Sequence, residues 1–126
     1  MTPSDLIGSW TLISCTLFTE NAADRYPVGT KPTGLIIYSP DGMMSAFILR
    51  DPTVTAEGSA LLAYASRWEL EGDIVRHHVL FNTEEGRAGQ TVLRKVHFEG
   101  NRLVLQTERK QGRHGLSWLH LVWRRP

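Results

Sequence analysis

The stretch from Ser66 to Phe81, Ser-Arg-Trp-Glu-Leu-Glu-Gly-Asp-Ile-Val-Arg-His-His-Val-Leu-Phe, constrains the fold more than any other part of the chain. Glu71-Gly72-Asp73 has turn chemistry, because glycine accepts positive φ and aspartate bonds its own backbone. The flanks alternate and are rich in β-branched and aromatic residues, as half-buried strands are. The stretch therefore predicts a β-hairpin. Val75, His77, Val79 and Phe81 share one parity after the turn, and Arg76 and His78 share the other. Before the turn, Trp68 and Leu70 share a face opposite Arg67 and Glu69. The more apolar parity is the expected inner face, so the hairpin aims Trp68, His77 and Phe81 into whatever the sheet encloses.

The rest of the chain repeats this rhythm. Gly8-Ser9-Trp10 opens a strand running to about Thr19, preceded by one helical turn in Met1 to Ile7 with Ser4 as its N-cap. Thr33–Ser39 and Met43–Arg50 form a hairpin around Pro40-Asp41-Gly42. Val92–Phe98 and Leu103–Arg109 form another around Glu99-Gly100-Asn101, and Leu116–Arg124 is the eighth strand. Glu20–Asp24 and Asn82–Gln90 read as loops, Gln111–Gly115 as a turn, and Ser59–Ala63 as the start of a short helix or lid. Eight short strands joined mostly by tight turns leave exposed edges unless the sheet closes, and eight is a common closure number. The expected fold is all-β: one domain over residues 1–126, an eight-stranded antiparallel up-and-down β-barrel with a short lid or helix between strands three and four.

Charge excludes several functions. Fourteen Lys+Arg against 13 Asp+Glu give no field that would gather nucleic acid or an anionic membrane. Cys15 is alone, so no disulfide framework exists. No run of eighteen apolar residues and no basic-then-apolar leader is present, which makes a cytoplasmic location the default expectation. No Gly-x-Ser-x-Gly and no phosphate-cradling glycine loop occur, so neither a serine nucleophile nor a nucleotide cofactor is expected. A metal site is not expected either. His77, His78, His97 and His120 show no ligand spacing, and in a strand His77 and His78 must face opposite ways.

Leu6-Ile-Gly-Ser-Trp10, Gly34-Leu-Ile-Ile-Tyr-Ser-Pro-Asp-Gly42-Met, Tyr64-Ala-Ser-Arg-Trp68-Glu, His77-His78-Val and Leu121-Val-Trp-Arg-Arg125 together resemble the bacterial and fungal lipocalin-like domain proteins of the calycin type. The resemblance implies that the first-strand Trp closes the barrel floor against an Arg from the end of the last strand. An indole under a guanidinium combines burial with cation–π attraction. In such proteins the segment between strands three and four is longer and contains a helix, whereas here Asp51–Ala63 is short. The family implies a barrel that encloses a hydrophobic or amphipathic small molecule, as a monomer or homodimer. Some relatives are instead cofactor-free cyclases or isomerases of secondary metabolism, and a lyase belongs to the same class of reading.

Two anomalies concentrate the functional expectation. His77 lies in apolar company, where it is a satisfied core group, a ligand contact or a general acid/base. Arg94 alternates with Val92, Val96 and Phe98, so it lies on an apolar face and needs a partner: Glu69, Glu108 or Asp41, or an anionic or carbonyl ligand. Candidate ligand-binding residues are Tyr38, Met44, Tyr64, Trp68, His77, Phe81, Arg94, Trp118 and His120. If the chain is an enzyme, His77, Arg94 and Tyr64 are the candidate catalytic groups. In the last strand Trp118, His120 and Val122 share one face and Leu119, Leu121 and Trp123 the other. Both faces are apolar, and alternation does not choose between them.

Overall fold

The computed structural model describes residues 1–54 and 60–126. They form a helical turn α1 (Pro3–Leu6) and ten strands: β1 (Gly8–Thr19), β2 (Ala22–Arg25), β3 (Thr33–Tyr38), β4 (Met43–Leu49), β5 (Leu61–Glu71), β6 (Ile74–Asn82), β7 (Thr91–Glu99), β8 (Arg102–Thr107), β9 (Lys110–Gly112) and β10 (Gly115–Arg124). The hydrogen-bonded order is β2-β1-β3-β4-β5-β6-β7-β8-β10-β9, and β1 also pairs with β10. Eight strands thus close an antiparallel barrel, while β2 and β9 are short ribbons on the ends of β1 and β10.

These two ribbons fall where a polar loop and a turn were expected. Ala22–Arg25 is wholly exposed, and so is Lys110–Gly112. Neither has a buried face, so neither leaves an alternating pattern in the sequence. The N-terminal turn is capped by Thr2 rather than Ser4, with the Thr2 N–H donating to Asp5 Oδ2 at 2.7 Å. The expected lid or helix falls partly on residues 55–59, outside the described residues. Leu61–Ala63, also assigned to it, instead begin β5 and pair with Leu49 to Phe47.

The central hairpin forms as expected around Gly72, whose φ of +61° is the left-handed conformation that favours glycine. Trp68 pairs with His77, and Leu70 with Val75. The phase then breaks. Ser66 pairs with Val79 but Ala65 pairs with Phe81, leaving Leu80 as an extra residue on β6. This β-bulge reverses the alternation beyond it. Phe81 is therefore turned outward and is 71% exposed, contrary to its expected place on the inner face, and Asn82 turns inward beside Tyr64.

A second irregularity, between Leu12 and Ser14, lies on β1, and β10 runs opposite it without a break. Leu12 pairs with Trp123 and Cys15 with Leu121, and all four are buried in the core. Leu119, Leu121 and Trp123 therefore face inward. Trp118 and His120, expected in the pocket, stand on the opposite face: Phe18 and Arg109 cover Trp118, and the Phe18 and His97 rings flank His120. The choice follows from packing, because the floor needs the bulk of Trp123, which is 1% exposed.

The closed end of the barrel is solid. Trp10 and Trp123 pack with Leu6, Ile36, Val96 and Leu103. Trp10 Nε1–H donates to the Leu6 carbonyl at 2.9 Å, and the Arg125 guanidinium carbon lies 3.7 Å from the centre of the indole. Arg125 Nη1 donates to the carbonyls of Ile7 (2.9 Å) and Ser9 (3.4 Å), and Nη2 to that of Asp5 (3.4 Å). Gly8 makes room for this: its φ is +113°, and a Cβ there would lie 2.6 Å from Arg125 Nη1. Cys15 is part of this core, and burial pushes its thiol up to about 11, well away from reactivity.

Candidate functional site

The other end of the barrel is open. A cavity of about 590 Å³ enters between β1, β5, β6, β7, β8 and β10, within the size range of small-molecule sites. Its apolar wall includes Leu17, Leu62, Val79, Val92 and Leu119, and its polar wall Tyr64, Asn82, Arg94 and Thr107. Glu84, Arg87, Glu108 and Lys110 stand among the residues at its boundary. The barrel is thus packed below and hollow above, and the residues at the junction hold the chemistry.

His77 is at that junction, with no exposed surface. Tyr38 Oη lies 2.8 Å from its Nε2, and Tyr64 Oη lies 2.9 Å from its Nδ1. Three strands supply the chain: β3 gives Tyr38, β5 gives Tyr64, and β6 gives His77. Burial, then the nearby charges of Arg94 and His78, push His77 down to about 3, so the imidazole is neutral at physiological pH. Burial also raises the Tyr38 and Tyr64 hydroxyls, with Arg94 pulling both back towards their ordinary value. His78 faces outward, between Thr91 Oγ1 (2.8 Å) and Glu69 Oε1 (3.0 Å).

Arg94 reaches the cavity from β7. Its Nη1 donates to the Leu93 carbonyl at 3.0 Å, and among the described residues it forms no salt bridge. The expected partners Glu69, Glu108 and Asp41 do not meet it: Glu69 serves His78 on the outer face, and Asp41 bonds the Met43 N–H within its turn. A guanidinium on a largely apolar wall with one backbone acceptor is an incompletely neutralised charge.

Of the residues expected to bind a ligand, Tyr64 and Arg94 border the cavity side by side with Trp118 at its mouth. Tyr38, Met44 and Trp68 lie in the packed half, where the Trp68 Nε1–H donates to the Ser39 carbonyl at 3.0 Å and its ring meets Tyr38 edge-on at 4.9 Å. His77 meets the cavity through Tyr64 rather than directly. Phe81 and His120 lie outside. The sequence reading missed Leu62, Asn82, Thr107 and Leu119. Thr107 pairs with Arg94 and so continues the same inner row, a signal available once the β7–β8 register is known. Asn82 was hidden by the bulge and Leu62 by the helix assigned to its segment. Among the described residues no group of three or more His, Cys, Asp or Glu side chains is placed to hold a metal ion. None of their helices is long and apolar enough to cross a membrane.

Comparison with known proteins agrees with this architecture. Residues 7–60 match the family model described as a lipocalin-like domain. A crystal structure of a lipocalin-like protein from Bacteroides uniformis superposes with a TM-score of 0.54 at 14% identity, covering 97% of this chain and 99% of that one. No curated protein matches. Residues 7–60 are thus similar in sequence to the lipocalin-like domain, and the chain shares the barrel fold of that lipocalin-like structure over nearly its whole length.

Proposed function

We propose that the open half of the barrel binds an amphipathic small molecule, with its apolar body against Leu17, Leu62, Val79 and Leu119 and its polar end at Arg94 and Tyr64. The observation that carries this reading is Arg94 itself, a guanidinium on the wall of an apolar cavity with no carboxylate partner among the described residues. Retaining such a charge costs stability that a bound acceptor would return. The test is native mass spectrometry of the purified protein with hydrophobic metabolites. A retained one-to-one complex that disappears in Arg94→Met supports the reading, and a complex unaffected by that change refutes it.

The buried Tyr38–His77–Tyr64 chain supports a second reading, a cofactor-free cyclase, isomerase or lyase using the same cavity. His77 would act through the Tyr64 hydroxyl, and enclosure would hold a flexible substrate in a reactive conformation. Binding ranks first, because His77 is neutral and does not border the cavity. On the enzymatic reading His77→Gln lowers turnover by ~10²-fold or more while leaving the barrel folded.

A further inference from the structure

The hydrogen-bond chain under the cavity has one direction that leaves no buried hydroxyl hydrogen unpaired, and that direction bears on the class of ligand. Tyr38 is fully buried, and among the described residues its hydroxyl meets only His77 Nε2. If Tyr38 accepted from Nε2–H, its own hydrogen would be buried without an acceptor, an arrangement folded proteins avoid. Tyr38 therefore donates. The neutral imidazole then carries its proton on Nδ1, and that N–H donates to Tyr64 Oη. Oη is occupied as an acceptor, so the Tyr64 hydrogen is left for the cavity.

Among the other polar groups lining the cavity, which include the Glu84 and Glu108 carboxylates at its boundary, Asn82 and Thr107 have the same bias. Asn82 Oδ1 accepts the Glu84 N–H at 2.7 Å, leaving the amide NH₂ to donate. Thr107 Oγ1 accepts the Leu119 N–H at 2.8 Å, leaving its hydrogen free. Arg94 can only donate. Four side chains from four strands thus present hydrogens, one of them on a full positive charge, while each of the three that can accept is already accepting.

Building on the ligand reading above, we propose that Arg94, Tyr64, Asn82 and Thr107 form a donor-lined receptor for an oxyanion, so that the ligand is an apolar carboxylate or a comparable organic anion. An alcohol satisfies the donors without neutralising the charge, and an ammonium offers no acceptor and meets Arg94 with like charge.

The test uses three probes with one tail, decanoate, decanol and decylammonium, titrated into the full chain at pH 7.5 by calorimetry. Decanoate is expected to bind about 10-fold or more tightly than decanol, the scale of a hydrogen bond to a charged group, and decylammonium more weakly than either. Arg94→Met should bring decanoate down to the level of decanol. Binding of all three with similar strength leaves the ligand reading standing and overturns the oxyanion receptor. Failure of all three to bind overturns both. Nitrogen-15 NMR of the unmodified protein tests the chain independently: a His77 ring protonated at Nδ1 supports it, and one protonated at Nε2 overturns it.

Discussion

Arg125 and Arg94 sit at opposite ends of the barrel and are treated oppositely. Arg125 lies over the Trp10 ring and reaches the carbonyls of Asp5, Ile7 and Ser9. Its charge is spread over a π face and three acceptors, and it closes the floor. Arg94 has one backbone carbonyl and faces an open cavity. The same side chain is structural where the fold surrounds it with acceptors and available to a ligand where it does not. The contrast extends to the neighbours: below lie interlocked aromatics, above lie a hollow and unpaired donors.

The largest effect should come from emptying the floor. Trp10 is 2% exposed, and Trp10→Ala should destabilise the protein by about 3–5 kcal/mol in denaturant unfolding, the cost of a large aromatic cavity. A loss below about 1 kcal/mol would mean that the floor is not the stabilising half.

The next effect is set at the junction. His77 has a folded-state pKa of about 3, below the ordinary value of 6.5. The unfolded chain therefore binds the proton first as pH falls. The stability from keeping His77 neutral is complete above about pH 6.5 and is lost progressively down to about pH 3, on the order of 5 kcal/mol in all. Unfolding free energies measured between pH 6.5 and 4.5, above most carboxylate titration, should rise with pH in the wild type and be much flatter in His77→Gln. Equal slopes would show that His77 is solvated or charged in the folded protein.

The smallest effect tests the bulge. Val79 and Phe81 share a parity in the sequence, yet Val79 is buried and Phe81 is not. Val79→Ala should cost about 1–3 kcal/mol for the two methyl groups lost from the wall. Phe81→Ser should fall within about 0.5 kcal/mol, as exposed substitutions do. A large loss at Phe81 would place it inside.

That pair also marks how far the sequence could be read. Turn chemistry at Pro40-Asp41-Gly42, Glu71-Gly72-Asp73 and Glu99-Gly100-Asn101 located the hairpins because those signals are local, and the resemblance to lipocalin-like proteins placed the first-strand Trp against an Arg from the end of the last strand at the floor. The inner placement of His77 and Arg94 followed from alternation alone. Bulges leave no such trace. The extra residue at Leu80 moved Phe81 out and Asn82 in, and the two apolar faces of β10 are told apart only by the pairing of Trp123 with Leu12 and of Leu121 with Cys15 in the core. The short ribbons β2 and β9 bury nothing and carry no pattern. Tyr38, Tyr64 and His77 were each singled out, but their linkage depends on the lateral register of four strands, β3 to β6, which no single segment encodes.

Thermal unfolding of the wild type, Arg94→Met and Arg125→Met, each with and without saturating decanoate, compares the two arginines directly. A ligand that binds the folded state raises the melting temperature by mass action. Arg125→Met should melt lower than the wild type yet keep the decanoate-induced rise. Arg94→Met should melt at or above the wild type and lose most of that rise. A full rise in Arg94→Met, or its loss in Arg125→Met at temperatures where that variant is folded, would contradict the division of the barrel into a stabilising floor and a ligand-binding mouth.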